Sequence, residues 1–237
     1  MKKIIFLVLF LTMSIKLVSQ EMMVNGNFEQ YAYSSAATYN CAIDYAVGWH
    51  SLNNSPDFYH PQTYTTPTFG AYSPRNGVGH GNFIMQPSGN AECFYGTTLN
   101  LVSGTKYVVS FWVKKLVTTS NQPHIGLNIS TTIPQPFILD PYVETLIPDV
   151  VYTPVSNQYE RVSYCFTALE SVPHYLTFGF YQEKPQNLNQ VHYFLLDDVS
   201  VKVLDNGGLN AVSNITIPNT TVCVQNQAIV DGSTSVN

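Results

Sequence analysis

Between residues 106 and 116 two kinds of side chain share the strand by turns. Tyr107, Val109, Phe111 and Val113 fall on one side, Ser110, Trp112 and Lys114 on the other. A period of two is the repeat of a β-strand with one buried face, because successive side chains point to opposite sides of the sheet. The pattern recurs along the chain. In 124–130, Ile125, Leu127 and Ile129 alternate with Gly126, Asn128 and Ser130. In 158–167, Val162, Tyr164 and Phe166 stand opposite Arg161, Ser163 and Cys165. In 174–182, Leu176, Phe178 and Phe180 alternate with Tyr175, Thr177, Gly179 and Tyr181. Residues 191–203 are more evenly apolar up to the pair Asp197-Asp198. Helical periodicity is nearly absent after residue 19, and 14 Gly and 14 Pro punctuate the rest. Strands in this number with no helices between them predict an all-β chain of two packed antiparallel sheets. Residues 31–81 read mostly as loops, with short strand pieces at 47–51 and 57–59. Long loops at one end of a sandwich are where binding is often decided.

The first 19 residues follow a different logic. Lys2 and Lys3 precede the apolar run Ile4 to Leu11, and the segment closes on Ser19-Gln20. That order is the layout of a secretory signal, with cleavage expected before Gln20. The run is too short for a bilayer-spanning helix, which needs about 20 apolar residues. The expected location is therefore secreted or cell surface, with no membrane insertion. The 218 residues left carry 7 Lys and Arg against 15 Asp and Glu, a net charge of −8. Such a chain has no basic patch for nucleic acid or anionic lipid. Only 11 % of residues are charged. An abundance of Asn, Gln, Ser, Thr and Tyr suits neutral, hydroxyl-rich ligands.

Cys41, Cys93, Cys165 and Cys223 allow three disulfide pairings after export, and no spacing is of the metal-binding C-x-x-C type. Cys41 with Cys93 is favoured, with Cys165 as a small buried apolar residue. Composition shifts after Leu204, where Asp205-Asn206-Gly207-Gly208 breaks the pattern. The organisation expected is a signal peptide at 1–19, a sandwich domain at 20–204, a linker at 205–214 and an incomplete second domain at 215–237. A segment that short cannot bury a core of its own.

Three pieces, in order, resemble the jelly-roll carbohydrate-binding modules of families four, nine and twenty-two. They are Asn25-Gly26-Asn27-Phe28-Glu29 with Gly48-Trp49 downstream, Gly104 to Lys114 as G-x-x-Y-x-x-S-x-W, and Tyr193 to Val201 with its closing D-D-V. They frame residues 22–203. Residues 215–237 resemble the opening of PKD-like repeats in surface proteins of gliding bacteria, which implies further domains in a longer parent chain. The resemblance implies a structural Ca²⁺ held by Glu29, Asp197 and a carbonyl near Asn27, with another oxygen from the loop 73–77. Hard oxygen donors suit that ion, which takes 6–8 of them. The alternative is that the acidic residues cap backbone amides at a strand end.

For a glycan, aromatic platforms flanked by polar side chains are the expected contacts. On the wetter strand faces these are Trp112, Asn128, Thr177 and Tyr181, with Tyr95 added, and the resemblance implies that their strands line one cleft. Trp49 is expected in the core. The chain has no G-x-S-x-G elbow, no H-E-x-x-H helix and no phosphate-cradling glycine loop, and its six histidines are scattered. The sequons at Asn128, Asn214 and Asn219 are expected to stay idle. The reading is a non-catalytic module that binds polysaccharide or glycan as the targeting or adhesion head of a larger surface protein. Its rivals are a structural or adhesive sandwich without sugar affinity and an accessory domain of an exported hydrolase.

Overall fold

The computed structural model describes residues 20–32, 42–53, 55–61, 72–85, 92–116, 125–133, 150–152, 158–179 and 192–204. The expected signal peptide, linker and PKD-like start lie outside the described residues. Among the described residues no helix is long and apolar enough to cross a membrane.

Among the described residues one short 3-10 turn, Ile43–Tyr45, precedes eleven strands. These are β1 (Trp49–Asn53), β2 (Asp57–Tyr59), β3 (His80–Met85), β4 (Cys93–Gly96), β5 (Leu99–Asn100) and β6 (Lys106–Lys115). After them come β7 (Ile125–Ser130), β8 (Val150–Tyr152), β9 (Glu160–Thr167), β10 (Pro173–Gly179) and β11 (His192–Val203). One sheet runs β1-β4-β10-β7-β8, with β5 also pairing β10, and the other runs β2-β3-β11-β6-β9. Every pairing is antiparallel. Among the described residues the chain is an all-β, two-sheet antiparallel sandwich, as the alternation predicts.

The inward residues of the two sheets form one core. Tyr107, Val109, Phe111 and Val113 of β6 meet Leu127 and Ile129 of β7 and Leu176 and Phe178 of β10. Phe111 and Phe178 lie edge to face, with ring centroids 5.0 Å apart. Each fully buried side chain of this size contributes roughly 1.5–3 kcal/mol. Trp49 is fully buried, stacked on Phe28 at 4.8 Å.

Asn25, Gly26 and Phe28 are each fixed by a contact of their own. Asn25, in the left-handed region (φ 51°), donates its amide to the carbonyls of Gln30 and Val47 and accepts from the N–H of Gln30. Its own carbonyl accepts from Trp49 Nε1 at 3.0 Å. Gly26 accepts a hydrogen bond from the N–H of Val199 at 2.8 Å, so close that a Cβ there would overlap the Val199 carbonyl. Only glycine allows that approach. Phe28 (φ 57°) enters the core, and its stacking on Trp49 offsets the strained backbone.

β11 carries an irregularity between Asp197 and Ser200, opposite Trp112 and Ser110 of β6. Before it Phe194 and Leu196 point inward; after it Val199 and Val201 do. One extra residue, Asp198 (φ 47°), switches the strand's parity, as a β-bulge does. The D-D-V sequence is that bulge.

β2 stops at Asp57, opposite Asn82. At the next pleat the free edge of β3 is taken by Glu92, whose Oε2 accepts from Ile84 N–H at 2.7 Å and whose N–H donates to the Ile84 carbonyl. Because Glu92 leads directly into β4, this latch ties the two sheets together. Burial, then the neighbouring Asp57 charge, pushes its carboxyl up to about 8.

One cysteine expectation is overturned. Cys165 is disulfide-bonded and only partly buried, while Cys93 is not in a disulfide. Cys165 sits on the polar side of β9, beyond the core that Val162, Tyr164 and Phe166 fill, and its partner lies outside the described residues. The Cys41–Cys93 pairing is therefore ruled out.

Candidate ligand-binding faces

Since Leu127, Ile129, Leu176 and Phe178 fill the core, their neighbours Asn128 and Thr177 face outward from the six-stranded sheet. Strand register then lines up four side chains: His50 of β1 opposite Tyr95 of β4, Tyr95 opposite Thr177 of β10, and Thr177 opposite Asn128 of β7. Tyr95 packs against His50 at 5.2 Å and, edge to face, against Tyr175 at 6.0 Å. Burial raises the Tyr95 hydroxyl pKa, with smaller contributions from Asp44 and Tyr175. The Asp44 carboxylate lies beside this pair, its Oδ1 3.9 Å from His50 Nδ1.

The row grades inward. His50 is exposed, Tyr95 and Tyr175 are half-buried, and Thr177 and Asn128 are only 7 % and 5 % exposed. Yet the Asn128 amide oxygen and nitrogen and the Thr177 hydroxyl make no hydrogen bond. An orphaned buried donor or acceptor costs about 1–3 kcal/mol. Similar orphans occur on β3, at both ring nitrogens of His80 and at Asn82 Oδ1. There the neighbours Asp57, Tyr59 and Leu195 are all buried, so that cluster is walled in, and burial lowers the His80 pKa to about 4. The Asn128–Thr177 pair instead adjoins the partly exposed rings of Tyr95 and Tyr175.

Of the five expected contacts the structure therefore brings together Tyr95, Asn128 and Thr177. Tyr181 lies outside the described residues. Trp112 is on the outer face of the other sheet, and the expectation that it shares a cleft with the others is corrected: alternation distinguishes inside from outside, not one sheet from the other. His50 and Tyr175 were missed, although each alternates with a core residue, Trp49 and Leu176.

On the five-stranded sheet, the N-terminal segment runs beside β11, with Met22 N–H donating to the Val201 carbonyl at 2.9 Å. That brings Glu29 and Asp197 to a single loop. Asp197 Oδ2 accepts from the N–H groups of Arg75 and Asn76, and Oδ1 from that of Asp198. Glu29 Oε1 accepts from Val78 and Gly79 N–H, both at 2.9 Å. Gly77 (φ 65°) must be glycine, because a Cβ there would overlap the Glu29 carboxylate. Asp197 is fully buried, and burial, aided by Asp198, pushes its carboxyl up to about 7 against the pull of its three N–H donors. Tyr159 beside it is raised as well, by burial and then Asp197.

The two carboxylates thus meet the loop that was expected to add an oxygen, but they meet its amides. Among the described residues no three His, Cys, Asp or Glu side chains gather as a metal-binding group. Among the described residues Glu29 Oε2 makes no hydrogen bond and Asp197 Oδ1 accepts only one. This all-oxygen set fits Ca²⁺ in kind, while carbonyls or water would have to supply most of its ligands. Asn27 is exposed on the adjoining turn.

No protein-family model and no curated protein matches the sequence. Among solved structures, the chain is similar to TmCBM61 in complex with β-1,4-galactotriose, at 13 % identity and a TM-score of 0.45, covering 78 % of this chain and 99 % of that one. It is also similar to the CBM22-1 xylan-binding domain from Paenibacillus barcinonensis Xyn10C, at 12 % identity and 0.41, covering 66 % and 85 %. The K1 cleaved adhesin domain of Lys-gingipain from Porphyromonas gingivalis gives 12 % and 0.41, covering 66 % and 90 %. Likeness at this level carries no argument about function, which rests on the faces themselves.

Proposed function

We propose that this chain is a non-catalytic glycan-binding module that takes a neutral polysaccharide on the outer face of the six-stranded sheet. The observation that carries the reading is the row His50, Tyr95, Thr177 and Asn128, ending in three orphaned polar atoms. Sugar hydroxyls both donate and accept, so they match an amide and a hydroxyl that find no partner in the protein. The half-buried Tyr95 and Tyr175 rings offer the apolar surface on which a pyranose ring packs. The row holds no carboxylate or ammonium group, which favours a neutral ligand.

Within this reading residues 1–19 export the chain, 20–204 form the binding module and 215–237 begin a PKD-like domain of a longer surface protein. Glu29, Asp197 and the Asn27 carbonyl hold a structural Ca²⁺. The buried Asp197, its carboxyl pushed up to about 7, is the group such a cation would keep ionised.

The test is calorimetry of the full chain against a panel of neutral oligosaccharides that includes galactotriose and xylan oligomers. Saturable binding weakened about tenfold or more by Asn128→Ala is expected, the loss of one or two hydrogen bonds to a bound ligand. Binding to none of a broad panel by a well-folded protein would sink the reading in favour of a structural sandwich. Adding calcium is expected to raise Tm and a chelator to lower it; no change with either removes the ion.

A further inference from the structure

A cavity of about 590 Å³ opens on the other side of the sandwich, over the outer face of β6, β9 and β11. Its floor is Trp112 and Ser110 of β6, with Arg161 of β9 directly opposite Trp112 and Ser200 of β11 opposite Ser110. Its volume falls within the usual range of small-ligand sites, roughly 300–1,000 Å³.

The charges of this cavity do not balance. Three cations line it, Arg75, Arg161 and Lys202, against two carboxylates, Glu21 and Asp198. Asp198 is taken by Arg75, whose guanidinium also lies 3.9 Å from the centroid of the Trp112 ring. Glu21 is taken by Lys202 at 3.6 Å, by Ser200 Oγ and by the N–H groups of Met23 and Val201. Among the described residues the Arg161 side chain alone of the three has no hydrogen bond and no ion pair. A cation left over in a cavity, on a chain whose formal net charge is −5, is a specific feature rather than part of a general basic surface.

We propose that this cavity is a second binding site, separate from the Asn128 row, and that it takes an acidic saccharide whose carboxylate or sulfate is received by Arg161. A guanidinium offers a planar fork of N–H donors that matches such groups two bonds at a time. The surroundings suit the rest of a sugar. Ser110, Asn27 and Asn76 offer partners to ring hydroxyls, and the Trp112 edge offers an apolar flank. A single unpaired guanidinium matches one monoanionic group, whereas a polyphosphate would call for several.

The site is tested by calorimetry of the full chain with trigalacturonate and, separately, with galactotriose and sodium sulfate. Saturable binding of trigalacturonate is expected, weakened about tenfold or more by Arg161→Ala and less by Arg161→Lys, because charge-assisted hydrogen bonds are the strong ones. Asn128→Ala should leave it unchanged, which separates this site from the neutral-glycan row. The proposal is overturned by any of three results: no trigalacturonate binding; equal affinity in Arg161→Ala; or equal losses in Arg161→Ala and Asn128→Ala, which would mean one shared site. Sulfate binding as tightly, with the same dependence on Arg161, would reduce the cavity to an adventitious ion only and overturn the saccharide.

Discussion

The two outer faces of the sandwich solve opposite problems. On the five-stranded sheet, almost every polar group near the β11 bulge is answered from within the chain. Asp197 and Glu29 share the amides of one loop, Asp198 holds Arg75, and Glu21 ties the N-terminal segment to Ser200, Val201 and Lys202. On the six-stranded sheet, Asn128 and Thr177 are as deeply buried as core residues and are answered by nothing. Near the bulge, where polar groups satisfy one another, that face is held as structure, with the Arg161 guanidinium as the surplus there among the described residues, while the orphans of His80 and Asn82 lie walled in on β3. A face that leaves them orphaned is less stable than it could be, which is what a site waiting for a ligand looks like.

The comparison breaks first at Asp197. Asp197→Ala removes the acceptor of three backbone N–H groups and leaves them unpaired beneath the loop. A loss of about 3 kcal/mol is expected by urea denaturation, the scale of breaking a buried charged hydrogen-bond network. A loss below about 1 kcal/mol would show that the loop is held by other contacts.

A second test uses pH. Asp197 and Glu92 carry folded-state pKa values of about 7 and about 8, above their ordinary values of 3.8 and 4.5. A carboxyl raised in the folded state adds stability that is fully present below its unfolded value and lost as pH rises through its folded value. Stability should therefore decline from about pH 4.5 to 8, read as a falling Tm, with Glu92→Gln flattening the slope. His80, lowered to about 4, works the other way: its contribution is present above 6.5 and lost as pH falls toward 4. The decline is measured in the presence of a chelator, because bound calcium would hold Asp197 ionised. A Tm that rises from pH 5 to 8 would contradict both carboxyl assignments.

The smallest effect is the one that distinguishes the faces most sharply. Thr177→Val replaces an orphaned hydroxyl with a methyl group of similar shape. It should stabilise the protein by about 1 kcal/mol while weakening neutral-glycan binding. Destabilisation instead would mean that the hydroxyl already has a structural partner.

Much of the fold is legible in the chain. The alternation of β6, β7, β9 and β10 names their core residues, and Trp49 belongs to the core as expected. Strands β3, β4, β5 and β8 are short or evenly mixed, with no period to betray them. The roles of Asn25, Gly26 and Asp198 are written as short motifs, but what they do depends on β11 passing beside residue 26.

The sequence alone determined which side of each strand is apolar, and with it the sandwich, because alternation is a local property of adjacent residues. It also set the chain's acidic balance and its scarcity of charge. Tertiary structure decided which sheet each strand joins, so that Trp112 and Asn128, alike in pattern, stand on opposite faces. It decided that Glu29 and Asp197 meet at one loop, that Cys165 rather than Cys93 is disulfide-bonded, and that the Arg161 guanidinium is left without a partner among the described residues. Those outcomes hang on which strands lie side by side, and strand order is fixed by contacts between residues far apart in the chain, which no local pattern encodes.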